Sequence, residues 1–307
     1  MYKSVKIAHH PDFCLSLPEN HRFPMAKYER LPQKLLVDGI AMPSQFFIPP
    51  MATIDEILTT HTAEYWQALD DLTLSPKEAR KIGLPMNKKL IDRERLVVGA
   101  TIACAKYALT DGISFSTSGG THHAFADSGE GFCVLNDVCV ASHVLLNQSL
   151  AKRILILDLD VHQGNGNASI MADNANVFVM SMHGEKNYPY HKPKSDLDIG
   201  LADNTGDDEY LRLLSHHLPK VLDDFNPDFV FYQAGVDVLA DDRLGRIDLT
   251  MNGLYEREQY VVKTMLDRQI PMSVVMGGGY APDIDVIVEG HGVVFGVVKN
   301  PKVTKLH

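Results

Sequence analysis

Six short apolar runs, rich in β-branched residues, alternate along the chain with longer segments of helical spacing. Apolar runs of this length, bounded by polar residues or glycine, are typical of strands buried on both faces of a sheet. The runs cover residues 5–10, 113–120, 153–160, 177–182, 228–235 and 272–279. The clearest helical segments cover residues 93–109, 136–146, 207–224 and 254–267. This alternation predicts an α/β fold with a mostly parallel central sheet and helices on both faces.

The chain has no boundary that would divide it into two folding units. Its 307 residues are 45% hydrophobic and 22% charged, a length that suits one large α/β domain or two small ones. No internal repeat, low-complexity tract or Pro-rich or Gly/Ser-rich linker interrupts it. We therefore predict a single domain over residues 1–307.

Charge and cysteine content limit the partners and the compartment. A net charge of −10 argues against direct nucleic-acid binding, which needs Lys and Arg concentrated on one face. An acidic surface suits cationic partners such as Lys-rich peptides or polyamines, although such charge commonly serves solubility alone. The sequence has no signal-peptide core, no apolar stretch of about 18 residues and no CxxC pair. These features predict a cytoplasmic protein with reduced thiols and no membrane span.

Polar side chains follow four of the predicted strands, at the point where each strand ends. Residues 113–120 lead into His122 and His123, 153–160 into His162, 228–235 into Asp237, and 272–279 into Tyr280. The carboxyl ends of parallel strands meet along one edge of a sheet, where open α/β proteins bind ligands. We therefore expect these side chains to converge on one site.

Asp160, His162 and Asp237 form a candidate metal site. Asp160 and His162 are two residues apart in extended chain, so their side chains point to the same side. Three protein ligands leave room for water and a substrate oxygen, which is typical of catalytic rather than structural zinc. Carboxylate-rich ligation also suits Fe²⁺, Mn²⁺ or Co²⁺, so the identity of the ion stays open.

Four segments resemble, in their order and spacing, the signature segments of the histone deacetylase superfamily. They are GGTHHAFADSGEGFCVLND (119–137), ILDLDVHQGNG (156–166), AGVDVLADDRLG (234–245) and GGGY (277–280). The resemblance spans nearly the whole chain. It implies an arginase/deacetylase-like fold and an enzyme that uses Zn²⁺ to remove an acyl group from an amine. The compact length and the HRFPMAKY segment are most similar to the short bacterial and class IV members.

The resemblance implies catalytic roles for residues of these segments. Asp160, His162 and Asp237 match the metal ligands. Tyr280 matches the tyrosine that donates a hydrogen bond to the substrate carbonyl and so stabilises the developing oxyanion. His123 matches the histidine that takes a proton from the attacking water and later protonates the leaving amine.

The resemblance implies that different side chains orient the two adjacent histidines. His122 is implied to act as an electrostatic neighbour, with Asp158 orienting it. Asn165 stands behind His123, where some relatives place Asp. A neutral amide stabilises an imidazolium less than a carboxylate does, so we predict that His122 is the more readily protonated of the two.

The resemblance also implies a substrate channel and a second ion. Its channel residues are Phe132, Tyr188, Gly131 and Gly278. Tyr188 lies in the variable stretch 183–193. An ordinary loop residue without a role in the channel is an equal alternative for it. Relatives bind K⁺ at a site that corresponds here to Asp158, Asp160, His162, Ser181 and Met182. Asp92 and Glu94 lie in the region where relatives place an acidic residue that binds the substrate backbone. Both are explained equally well as solvent-exposed acids at the start of a helix.

Hydrolysis of an acyl amide is the function that these residues favour. The preferred substrate is an acetylated or longer Nε-acyl-lysine in a protein or peptide, and acetylpolyamines or other small acyl amines are the alternative. The complete catalytic set argues against a non-catalytic acyl-lysine-binding module. Manganese ureohydrolases, which share a similar architecture, need further Asp or His ligands for two metals, and Gln163 beside His162 does not supply them. The sequence leaves the acyl-chain length, the oligomeric state and the involvement of histones open.

Overall fold

One sheet of eight strands forms the centre of the protein in the computed structural model, which describes residues 5–299. The strands are β1 Lys6–Ala8, β2 Phe46–Phe47, β3 Ile113–Ser116, β4 Ile154–Asp158, β5 Val177–Gly184, β6 Leu197–Leu201, β7 Phe229–Gln233 and β8 Met272–Val275. Their order is β2-β1-β3-β8-β7-β4-β5-β6, and every neighbouring pair is parallel. This confirms the predicted α/β class and its parallel sheet.

Ten α-helices of the described range flank this sheet. They are α1 Lys27–Val37, α2 Ile54–Ile57, α3 Ala63–Asp70, α4 Pro76–Ile82, α5 Lys88–Asp111, α6 Asp137–Asn147, α7 Asn165–Met171, α8 Asp207–Phe225, α9 Met251–Arg268 and α10 Ile284–Lys299. Every residue of β3, β4, β7 and β8 is buried, so helices cover both faces of the central strands. Among residues 5–299, no helix has the length and apolarity that crossing a membrane requires.

The six predicted strands and four predicted helices are all present, with shifted boundaries. The runs 113–120 and 272–279 end as strands at Ser116 and Val275, and their glycine-rich remainders form loops. Strands β2 and β6 were not predicted. The first has only two residues, and the second is an edge strand whose sequence, LDIGL, includes Asp and Gly and has no continuous apolar run.

The order of the strands brings distant segments of the chain to one place. Strands β3, β8, β7 and β4 are consecutive in the sheet, and these are the four strands that precede the polar residues singled out in the sequence. Side-chain caps fix the helices that follow two of them, because the Asn136 side chain accepts from the Cys139 amide at α6 and the Thr250 side chain accepts from the Gly253 amide at α9. The carboxyl ends of four central strands therefore form one edge.

Candidate active site

The loop after β3 is held by the buried carboxylate of Asp137. Its oxygens accept hydrogen bonds from the Gly120 amide at 3.1 Å and the Thr121 amide at 2.8 Å. A carboxylate that accepts backbone amides fixes a loop more firmly than a neutral side chain does, because these hydrogen bonds are charge-assisted. The loop thereby holds His122 and His123, both buried, at the edge of the sheet.

Asp160, His162 and Asp237 converge at this edge, as the sequence predicted. One ligand atom from each lies within 4.8 Å of the others, and His162 Nδ1 is 3.1 Å from Asp160 Oδ1 and 3.1 Å from Asp237 Oδ2. Ligands at zinc bond lengths in a tetrahedron are separated by about 3.3 Å. The remaining carboxylate oxygens accept backbone amides, from Gly278 at 2.6 Å and Val161 at 2.9 Å. The three side chains therefore fit a divalent ion in both spacing and donor chemistry.

The electrostatics of this cluster favour a positive charge within it. Burial disfavours the imidazolium form of His162, but hydrogen bonds and charge from Asp160 and Asp237 outweigh burial and raise its pKa to about 10. The two buried carboxylates thus favour the protonated imidazole over the neutral one. A divalent ion held by these side chains would supply the positive charge instead, and His162 would then bind it as the neutral imidazole, because a metal ligand must be deprotonated.

The two neighbouring imidazoles have the unequal partners that the sequence indicated. His122 Nδ1 lies 2.8 Å from Asp158 Oδ2, whereas His123 Nδ1 lies 2.7 Å from Asn165 Oδ1. Burial opposes protonation of His122, but the carboxylates of Asp158 and Asp160 raise its pKa. Burial and the neighbouring imidazoles lower the pKa of His123 well below its usual range. The directions of the two pKa values agree with the predicted order of basicity.

Glu130 belongs to the site, and sequence reasoning missed it. Its Oε1 accepts from Asn165 Nδ2 at 2.6 Å and from the Tyr188 hydroxyl at 2.5 Å. Its Oε2 lies 3.3 Å from Lys81 Nζ. A carboxylate within the segment 119–137 was visible in the sequence, but its partners lie 35 and 58 residues further along the chain, so only the fold reveals the contact.

Glu130 determines which way the Asn165 amide points. A carboxylate only accepts hydrogen bonds, so the Asn165 NH₂ must face Glu130 and its carbonyl oxygen must face His123. The carbonyl accepts, so His123 carries its proton on Nδ1 and leaves Nε2 free as a base. The same geometry explains why Asn stands at position 165, since an Asp there would face the carboxylate of Glu130 and be repelled by it.

Substituting Glu130→Gln should weaken this positioning, because a glutamine can face Asn165 in either orientation. We expect kcat/KM for an acyl-amide substrate to fall by about 10-fold or more, as is usual for partners that orient site residues. Bound metal, measured by elemental analysis, should stay unchanged. The exposed Glu64→Gln change on α3 is the matched control. An E130Q enzyme as active as E64Q would show that Glu130 does not position Asn165.

Tyr280 lies beside His162, the histidine of the candidate metal site, and its phenol is a hydrogen-bond donor. Its ring centroid is 6.3 Å from that of His162 and 6.0 Å from that of Phe132, and its amide donates to Asp242 Oδ2 at 2.6 Å. Burial and the nearby carboxylates raise the pKa of Tyr280 well above its usual range. The hydroxyl therefore stays protonated and able to donate a hydrogen bond.

Three of the four predicted channel residues line one cavity of about 410 Å³, which also reaches His123, His162 and Tyr280. The fourth, Gly278, lines a smaller cavity beside the same His123 and Tyr280. The lining of the larger cavity includes Phe132, Gly131 and Tyr188, and the Tyr188 ring lies 5.0 Å from that of His123. Close approach explains the two glycines. A Cβ at Gly131 would lie 2.7 Å from His123 Cδ2, and one at Gly278 would lie 1.9 Å from Asp237 Oδ2.

The remaining predicted residues lie away from the cavity. Asp158 and Ser181 are opposite each other on β4 and β5, and Ser181 Oγ lies 2.9 Å from His183 Nδ1. The potassium site of Asp158, Asp160, His162, Ser181 and Met182 stays a prediction. Asp92 lies 3.6 Å from Lys88, whereas Glu94 is buried in an ion pair with Arg93. Solvation at a helix start is therefore the wrong explanation for Glu94, and neither acid lines the cavity.

Residues 21–289 match the family described as the histone deacetylase domain. The chain belongs to the histone deacetylase family. This family is generally zinc-dependent, and membership supports a deacetylase activity for the residues assembled at the sheet edge.

This histone deacetylase family member has relatives in bacteria and plants. It is 45% identical over 287 residues to an uncharacterized protein of Picosynechococcus sp., covering 94% of this chain and 96% of that protein. It is 29% identical to histone deacetylase 2 of Arabidopsis thaliana, covering 87% of this chain and 71% of the relative. The crystal structure of the HDA15 HD domain aligns with a TM-score of 0.80 at 22% identity, covering 96% and 91% of the two chains. That structural likeness supports the arginase/deacetylase-like fold.

Proposed function

We propose that this protein hydrolyses the acyl amide of Nε-acyl-lysine in a protein or peptide. One observation carries the proposal: the candidate ligands Asp160, His162 and Asp237 lie within 4.8 Å of one another, and His162 lines one cavity together with the imidazole of His123 and the phenol of Tyr280. Asp160, His162 and Asp237 would hold the ion, with Zn²⁺ as the first candidate. Bound there, it would supply Lewis acidity toward the acyl carbonyl and toward water.

His123 performs the proton transfers in this proposal. Its Nε2 is unprotonated because Nδ1 donates to Asn165, so Nε2 takes a proton from the water that attacks the acyl carbon. When the C–N bond breaks, the same nitrogen delivers the proton to the leaving amine. The products are a carboxylate and a free amine. His122, paired with Asp158, contributes positive charge beside this imidazole.

Tyr280 stabilises the negative charge that develops on the carbonyl oxygen during the attack. A phenol beside the three candidate metal ligands can donate a hydrogen bond that strengthens as the oxyanion forms. The rings of Phe132 and Tyr188 line the cavity through which the acyl-amine chain must pass. Aromatic faces pack well against an aliphatic stem such as that of lysine, which supports an acyl-lysine substrate.

A panel of acyl chains and amines tests the proposal. Metal-loaded protein is incubated with peptides that carry acetyl-, butyryl- or octanoyl-lysine, and with acetylated polyamines, and the released carboxylate is quantified by chromatography. We expect hydrolysis of at least one acyl-lysine peptide in preference to the polyamines. If no acyl amide of any chain length is hydrolysed, the enzymatic proposal is wrong.

A further inference from the structure

Five exposed cationic side chains surround the outer end of the cavity. We call this set the cation rim, and its members are Arg22, Lys81, Lys186, Arg243 and Arg246. They come from four separate segments of the chain, so the fold and not a local run of basic sequence brings them together. The rim contacts the aromatic lining at one point, where the Arg22 guanidinium lies 5.1 Å from the centre of the Phe132 ring.

Nearby carboxylates neutralise only part of the rim. Glu130 pairs with Lys81 at 3.3 Å, and Asp203 lies 3.3 Å from Arg246 and 3.7 Å from Lys186. Within residues 5–299, no ion pair of 4.0 Å or less joins a carboxylate to Arg22 or Arg243. Among these ion pairs, two carboxylates contact three of the five bases, so a surplus of positive charge remains on Arg22 and Arg243.

This surplus is opposite in sign to the charge of the whole chain, which is −10. Asp160 and Asp237 lie deeper, and the two charges of a divalent ion would balance them. Asp242 is also directed inward, since its carboxylate accepts the amides of Leu244, Gly245 and Tyr280. A ligand that approaches the cavity therefore first meets the cation rim, where a local field attracts anions and raises their association rate.

We infer that the cation rim selects acyl-lysines that lie in acidic peptide segments. The inference rests on the proposed deacylase function and names its substrate class. An acidic residue beside the acyl-lysine remains outside the narrow cavity, at the level of the rim, while the lysine stem passes between the aromatic walls. The same field repels polyamines, which keep positive amines next to the acyl group. A peptide fits better than a nucleic acid, because the cations line the same cavity as His123 and Tyr280 and the chain as a whole carries a net charge of −10.

Two acetyl-lysine peptides of equal length test this inference, one with Glu and one with Lys at the flanking positions. For the unaltered protein at low ionic strength we expect kcat/KM to be about 10-fold higher for the Glu peptide, with the advantage shrinking as salt is added. In the double variant Arg22→Gln, Arg243→Gln the advantage should fall to about threefold or less. Both substitutions remove charge and leave the proposed catalytic residues unchanged.

The matched control is the double variant Lys152→Gln, Arg153→Gln. These exposed residues come just before β4 begins, so the length of the strand, about 16 Å, separates them from the site edge. The control removes the same charge and should keep the full preference for the Glu peptide. A loss of preference equal to that of the rim variant would show that only the net charge matters.

Hydrolysis of both peptides at equal kcat/KM would overturn the inference while leaving the deacylase function intact. If neither peptide is hydrolysed, and no peptide with a longer acyl chain is either, the deacylase function fails, and fluorescence anisotropy with labelled forms of the same peptides still tests the rim. Tighter binding of the Glu peptide that is lost in the rim variant would support the inference. Equal affinities, or displacement of the Glu peptide more readily by a single-stranded oligonucleotide than by unlabelled Glu peptide, would contradict it.

Discussion

Replacing Tyr280 with phenylalanine is expected to lower kcat/KM for an acetyl-lysine peptide by about 10²–10³-fold, the usual effect of removing one oxyanion donor. The Tyr280 ring lies 6.3 Å from that of the candidate metal ligand His162, and its raised pKa keeps the phenol protonated as a donor. Phenylalanine preserves the ring packing against Phe132, so the fold and the metal content should not change. Released acetate, measured by an enzyme-coupled assay, gives the rate.

Tyr190 provides the matched control for this substitution. It lines the outer cavity but its side chain is 88% exposed, so Tyr190→Phe should alter kcat/KM by no more than about twofold. A Y280F enzyme that retains the activity of Y190F would show that the Tyr280 hydroxyl does not stabilise the oxyanion.

Replacing His123 with alanine should lower kcat by about 10²–10⁴-fold, the range that a positioned general base contributes. Burial and neighbouring imidazoles lower the pKa of His123, so this imidazole is neutral, and able to accept a proton, at neutral pH. Because His123 is not one of the three metal ligands, the variant should still bind metal. Elemental analysis together with acetate release separates loss of the base from loss of the ion.

The exposed His191 offers a control within the loop that follows β5. His191→Ala should retain kcat within about twofold. If the His123→Ala enzyme keeps its metal and also keeps full activity, then another group is the base, and the proposed roles of Asn165 and Glu130 are wrong with it.

The convergence of the site could be predicted because it depends on periodicity and topology. Apolar runs that end in His, Asp or Tyr, in a parallel sheet, place those residues along one edge. The structure brings together the residues predicted from the four strand ends. The pattern left the order of the strands open, and only the structure shows that β3, β8, β7 and β4 are consecutive in the sheet.

Contacts between side chains of separate loops could not be predicted. Glu130 lies in a recognisable segment, yet its position against Asn165 and Tyr188 depends on how two loops pack against the start of α7. The cation rim is a similar case, because net charge describes the whole surface and not its distribution. From the value of −10 the sequence suggested cationic partners, whereas the fold concentrates positive charge where substrate would enter.

Titration of metal-free protein with Zn²⁺ tests the central claim most directly, with acetate release from an acetyl-lysine peptide measured at each step. We expect activity to rise in proportion to bound metal and to level off at about one ion per chain, as three ligands and one open position require. Asp237→Ala should neither bind this ion tightly nor release acetate. Full occupancy of the Asp160, His162 and Asp237 site without release of a carboxylate from any acyl-lysine peptide, or equal release by the metal-free protein, would contradict a metal-dependent deacylase.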